Sequence, residues 1–187
     1  MKIYKYENYE QYVEAQTEAN VRKLQLVWVQ KSTIHKICLN HPYAASVICH
    51  GTRNAREQIY FQEFLPNAKI LGTEISHTAS KFPMTVEHDF HEPRDEWLKF
   101  FDIVYSNSFD HSYDPQKSLK TWSEQISQFG SLYIEHGYLP SENKSKASDP
   151  LEISQEEIIE LCGELGLKHQ GYFGNDKGNA RIHRFMR

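Results

Sequence analysis

Four short segments of the chain concentrate side chains able to do chemistry. The first runs Val47-Ile48-Cys49-His50-Gly51-Thr52-Arg53-Asn54-Ala55-Arg56-Glu57. Gly51 permits a tight turn, the small Thr52 and Asn54 permit close approach, and the unpaired N–H groups of a following helix suit an electronegative atom. One glycine stands where a dinucleotide fingerprint has three, so the segment reads as a turn first and a ligand cradle second. About twenty residues further on, Glu74-Ile75 closes another apolar run, and an acidic side chain there can accept both hydrogen bonds of a ribose diol or simply face solvent. Asp89 directly precedes Phe90. Its carboxylate can accept from an exocyclic amine while the ring stacks beside it, or it can cap the next turn. The densest polar segment is Ser106-Asn107-Ser108-Phe109-Asp110-His111-Ser112-Tyr113-Asp114. There the adjacent Asp110 and His111 are candidates for proton removal, the alternative for His111 being a loop histidine that orients its neighbours.

Other chemistries are disfavoured. His88-Asp89-Phe90-His91, flanked by Glu87 and Glu92, has ligand types for zinc or iron, but the cysteine spacing and the H-E-x-x-H helix of such sites are missing, so no metal is expected. No P-loop, G-x-S-x-G elbow or Cys-His dyad is readable. Cys38, Cys49 and Cys162 are odd in number and scattered, which suits reduced thiols in a cytosolic protein. With 21 basic and 25 acidic residues the net charge is −4, which gives no overall attraction to a phosphate backbone, and nucleic acid is not an expected partner. No apolar run approaches the roughly 18 residues of a membrane helix, and no apolar segment follows the first few residues as in a signal peptide. A cytoplasmic protein without a membrane partner is the expectation.

These segments need elements to position them. The length of 187 residues predicts one domain, with a helical cap over 1–41 and an α/β core over 42–187. Tyr12, Ala15 and Ala19 give an imperfect stripe that predicts a helix from Glu10 to about Leu26, and a second helix through Ile34, Ile37 and Leu39 should stop before His41-Pro42. Strands are predicted at Ser46–Cys49, Lys69–Ile75, Met84–Asp89, Phe101–Ser106 and Ser131–His136. Helices are predicted over Asn54–Phe64, briefly over His77–Lys81, and from Asp114-Pro115 through Leu119, Trp122 and Ile126 until Gly130 stops the last one. A polar surface loop is expected over Ser141–Pro150. The capping box Ser154-Gln155-Glu156-Glu157 opens a helix to Leu165, and a hairpin around Gly174–Gly178 closes the chain. Strands alternating with helices predict an open, mostly parallel sheet covered on both faces.

From Ser46 to Tyr138 this order of segments resembles the class I methyltransferases that use S-adenosylmethionine. The resemblance implies a Rossmann-like seven-stranded, mostly parallel sheet with an antiparallel C-terminal hairpin and helices on both faces. It implies that His50-Gly51-Thr52-Arg53 cradle the methionine end of the cofactor, that Glu74 and Ile75 meet the ribose, and that Asp89 and Phe90 meet adenine. Ser106 and Asn107 would border the cofactor, Ser108, Phe109 and Tyr113 the acceptor, and Asp110 and His111 would be the catalytic pair. Ser106-Asn107-Ser108-Phe109 is similar to the S/N/D-P-P-Y/F motif of amine-directed members, without its prolines. The glycine-rich motif is reduced to CHGTRNARE, with Arg53 and Arg56 where small residues are usual. The expected function is methyl transfer to a small-molecule or amine acceptor. A cofactor-binding module without transferase activity and an NAD-dependent oxidoreductase are the alternatives.

Overall fold

The computed structural model describes residues 1–137 and 145–187. Five parallel strands form the middle and one side of the sheet: β2 (Ser46–His50), β3 (Lys69–Glu74), β4 (Thr85–Glu87), β5 (Phe101–Ser106) and β6 (Ile126–Gly137). The C-terminal hairpin of β8 (Lys168–Gly174) and β9 (Ala180–Met186) completes it, with β9 inserted antiparallel beside β6. The seven strands lie in the order β4-β3-β2-β5-β6-β9-β8. This is the expected α/β class with its antiparallel hairpin.

Successive side chains of a strand point to opposite faces, and the core follows that rule. Ile48, Val104, Leu132 and Ile134 face one side with Leu119 and Trp122 of α4 (Pro115–Gln125) and Ile158 and Cys162 of α5 (Gln155–Glu164). Val47, Cys49, Ile103, Tyr105 and Tyr133 face the other with Ile34, Ile37 and Cys38 of α2 (Lys31–Asn40) and Phe61 of α3 (Arg56–Phe64). Helix α2 is thus part of the sheet's cover, and α1 (Tyr9–Arg22) alone lies over the strand ends. The strand β1 (Lys2–Ile3), which the sequence does not announce, pairs with β7 (Leu151–Glu152) in a separate two-stranded sheet.

Local signals placed several boundaries. Asn8 caps α1 through Gln11 N, Asp114 caps α4 with Pro115 in its first turn, and both hydrogen bonds of the Ser154/Glu157 capping box form. Other boundaries move. Helix α1 ends at Arg22 because Lys23 N–H is shared between Ala19 and Asn20 carbonyls, after which the Leu24 and Leu26 carbonyls turn to accept from Asn54 Nδ2. The strand expected over Met84–Asp89 shrinks to Thr85–Glu87, and Asp89 is freed for side-chain contacts. Gly130 does not stop α4: the helix ends at Gln125 and Ile126 already pairs with Phe101. The register slips between Phe101 and Ile103, and Gly130 sits so close that a Cβ there would lie 2.6 Å from the Phe101 carbonyl oxygen. Glycine therefore serves a close strand approach at that position. The predicted loop over Ser141–Pro150 falls outside the described residues for 141–144.

Candidate functional site

Strands β2 and β5 are neighbours, yet the chain runs from β2 outward to β3 and β4 before crossing back. Loops leaving two such strands turn to opposite faces and open a crevice beyond their carboxyl ends. Gly51 and Thr52 N–H both donate to the Thr73 carbonyl, at 2.9 and 3.0 Å, which binds the turn after β2 to β3. Gly51 has φ +73, and a Cβ there would stand 2.6 Å from Ser108 Cβ. Arg53 and Ala55 also hold left-handed backbone, at φ 39 and 58, which costs a residue bearing Cβ about 1–2 kcal/mol. The turn thus takes left-handed backbone at three positions with one glycine among them.

The two carboxylates singled out in the sequence stand at this crevice and are already engaged. Glu74 Oε2 accepts from Arg53 N at 3.0 Å and Oε1 from Ser76 N at 2.9 Å. Each carboxylate oxygen has a second acceptor site, so Glu74 retains capacity for a diol. Burial raises its carboxyl above the usual range despite these N–H bonds. Asp89 Oδ1 accepts from His91 N and Nδ1, at 3.0 and 2.6 Å, and Oδ2 accepts from the Tyr9 hydroxyl at 3.0 Å. Burial pushes Asp89 upward, but the bonds and charge of His91 outweigh it and the carboxyl titrates below its usual range. His91 Nε2 lies 2.8 Å from Ser112 Oγ, so Ser112, His91 and Asp89 have the partners of a hydrolytic triad. His91 and Ser112 are fully buried, with the Tyr113 ring 4.1 Å from the imidazole, so the line fixes Asp89 and exposes no nucleophile.

Gly51, Arg53, Glu74, Ile75, Asp89 and Phe90 come together around one cavity of ≈40 Å³, bordered at its other end by Ser108 and His111. Its remaining wall is α1, through Tyr12, Gln16, Ala19 and Asn20. That volume is far below the roughly 300–1,000 Å³ of small-molecule pockets, and α1 occupies one side of the space. A second, open cleft of ≈1050 Å³ is lined by Thr52, Asn107 and Asp110 among others, and shares Gly51, Arg53, Ser108 and His111 with the first. Those four residues mark the junction of the two spaces.

His111 Nδ1 is 2.9 Å from Gln16 Oε1, which leaves Nε2 turned toward Asp110 and Asp149, each with an oxygen at 3.9 Å. Among the described residues these three are the one His/carboxylate group compact enough to share an ion. Lys23 and Lys146 already pair with Asp149. His88 Nε2 instead meets the Glu92 carbonyl at 2.8 Å.

Other predicted residues line neither cavity. His50 is enclosed: Nδ1 meets Thr73 Oγ1, Nε2 meets Gln125 Oε1, and the ring stacks on Trp122 at 5.2 Å. Burial lowers it to about 3, so it is a neutral core residue. Ser106 Oγ donates to the His50 carbonyl and accepts from Ser108 N, stitching the two loops together. Phe109 is fully buried against Trp122, which places it beneath the loop and out of reach of an acceptor. Tyr113 packs with Tyr9, Tyr12 and His91 behind Asp89. Sequence reasoning missed the polar face of α1, although Tyr12, Gln16 and Asn20 recur at intervals of four and interrupt an apolar stripe. It named Glu57 only as the end of the first segment and gave it no role of its own.

This geometry is a crevice beyond the strand ends of a Rossmann-like sheet. No family model matches the sequence, and no curated protein matches it. Solved structures do. The 1,6-didemethyltoxoflavin-N1-methyltransferase of Burkholderia thailandensis, solved with 1,6-didemethyltoxoflavin and S-adenosylhomocysteine, is similar at TM-score 0.73 and 13% identity over 97% of this chain and 91% of that one. A TehB-like SAM-dependent methyltransferase from Corynebacterium glutamicum matches at 0.64 and 15% over 95% and 98%. A SAM-dependent methyltransferase from Aquifex aeolicus matches at 0.62 and 12% over 86% and 100%. The chain has the fold of the class I methyltransferases.

Proposed function

We propose that the protein is an S-adenosylmethionine-dependent methyltransferase acting on a small-molecule acceptor. The observation that carries this is the meeting of Gly51, Glu74 and Asp89, from the ends of three adjacent strands, around one cavity. The donor set fits the cofactor. Glu74 has acceptor sites left for a ribose diol, Asp89 can take a donor at Oδ2 once Tyr9 withdraws, and Phe90 and Ile75 offer apolar surface. Arg53, at the junction and beside several carboxylates, is placed to meet a carboxylate of the ligand in place of a glycine N–H.

When bound, the cofactor supplies a methyl group already activated on a sulfonium. The chain's work is then alignment and exclusion of water. Ser108 and His111 border both spaces, so they position an acceptor entering from the open cleft. His111 Nε2, facing Asp110 and Asp149, is available for a proton. His50, Ser106 and Phe109 act from beneath by fixing the two loops.

Calorimetric titration with S-adenosylhomocysteine tests the reading: binding is expected, and its absence at millimolar ligand overturns it. Glu74→Gln places an amide N–H against Arg53 N–H or Ser76 N–H, so affinity should fall by about 1–3 kcal/mol. An unchanged affinity removes Glu74 from the site.

A further inference from the structure

The floor of the open cleft holds two buried carboxylates that the cofactor reading does not use. Glu57, in the first turn of α3, is 6% exposed. Its Oε1 accepts from Asn107 Nδ2 at 3.2 Å, while Oε2 is buried with no hydrogen-bond partner. Glu135, near the end of β6, is 8% exposed. Its Oε2 accepts from the Tyr105 hydroxyl at 2.6 Å, and Oε1 has a long contact of 3.4 Å from Asn175 Nδ2. Glu57, Asn107, Glu135 and Asn175 all line the cleft that meets the candidate cofactor cavity at Ser108 and His111.

A buried carboxylate oxygen without a donor is costly, and a site keeps such a group when a ligand supplies what is missing. Burial raises Glu57 to about 7 and raises Glu135 as well, although Arg53 stands near the first and Lys177 near the second. The cations of the chain therefore do not satisfy these groups. One hydroxyl carries one proton and can satisfy one oxygen. A basic nitrogen carries several donors and a positive charge, and the two carboxylates, which feel each other's charge, both favour it. Leu26 and Trp28 add apolar surface to the same cleft.

Resting on the methyltransferase reading, we propose that the acceptor atom is a basic nitrogen, docked on Glu57 and Glu135, with Glu57 receiving its proton. The balance is simple. The docked ammonium gives one proton to the Glu57 carboxylate, the lone pair so freed forms the new N–C bond, the electron pair of the broken C–S bond stays on sulfur, and the methylated nitrogen leaves as its own ammonium.

Benzylamine and benzyl alcohol, matched in their apolar body, separate the two acceptor chemistries. Each is titrated calorimetrically at pH 7 into protein saturated with S-adenosylhomocysteine. The amine should bind at least about tenfold more tightly than the alcohol, and Glu57→Gln or Glu135→Gln should remove most of that preference while S-adenosylhomocysteine affinity stays within about twofold. Equal binding of amine and alcohol by the unsubstituted protein overturns the inference, as does a preference intact in both variants. In either case a normal S-adenosylhomocysteine titration leaves the methyltransferase reading standing. Failure of that titration itself overturns both.

Discussion

Glu57 can be tested without any ligand, through the pH dependence of folding. Its carboxyl rises from 4.5 to about 7 on folding, chiefly because burial disfavours the charge, with the Asn107 bond and the Arg53 charge opposing. A group whose pKa is raised in the folded state contributes stability below its unfolded pKa and loses it as pH climbs through the folded value. The window is therefore pH 4.5 to about 7. At about 1.4 kcal/mol per pH unit, the span between these values is about 3 kcal/mol. Glu57→Gln stays neutral throughout and escapes that loss. Urea denaturation of both proteins at pH 4 and pH 8 should show the variant gaining about 3 kcal/mol on the parent between the two conditions. Titrating groups that do not feel the Glu57 charge are common to both proteins and cancel, and the repulsion from Glu135 is already part of the Glu57 rise. The new amide alters stability by an amount that does not depend on pH, so it cancels as well. A difference flat to within about 0.5 kcal/mol would refute a buried, unsatisfied carboxylate at this position.

Two further substitutions probe the crevice. Gly51→Ala forces a Cβ into the left-handed region and against Ser108, so stability should fall by at least about 1–2 kcal/mol in urea denaturation, and Ser108→Gly in the same chain should restore part of it. No loss on Gly51→Ala would mean the turn relaxes freely. Tyr9→Phe deletes the hydroxyl that occupies Asp89 Oδ2, and S-adenosylhomocysteine should then bind about twofold to tenfold more tightly by calorimetry. Weaker binding would show that Tyr9 holds the ligand and does not compete with it.

The sequence made the sheet legible because a parallel strand buried on both faces is a short apolar run with abrupt ends. Ser46–His50 and Phe101–Ser106 are such runs, and Asp114-Pro115 and the Ser154/Glu157 box mark helix starts within four residues of chain. Boundaries failed where a distant partner decides them. Ile126 leaves the helix because Phe101 is there to pair with it, and no property of residues 120–130 encodes that neighbour. Strand β1 is two residues long and exists through its pairing with Leu151–Glu152 at the other end of the chain.

The site divides along the same line. That Gly51, Glu74 and Asp89 meet could be expected because strand ends in an open α/β sheet converge by topology, so position along the chain implies position in space. His50 and Phe109 occupy equivalent places in sequence, yet strand alternation and loop packing turn both inward onto Trp122, where their polarity or ring area serves the core. The contacts that give this crevice its particular lining are long-range polar ones. Tyr9 reaches Asp89 across 80 residues, Gln16 reaches His111 across 95, and Asn107 reaches Glu57 across 50. Each such bond carries a desolvation cost that is recovered only if both partners arrive with the right geometry, so single residues give no sign of it. The same coupling makes α1 an argument about function. Its Tyr9 hydroxyl and Gln16 amide contact Asp89 and His111, the side chains proposed to meet the cofactor and the acceptor, so a ligand that takes up those groups competes with α1 for the same hydrogen bonds.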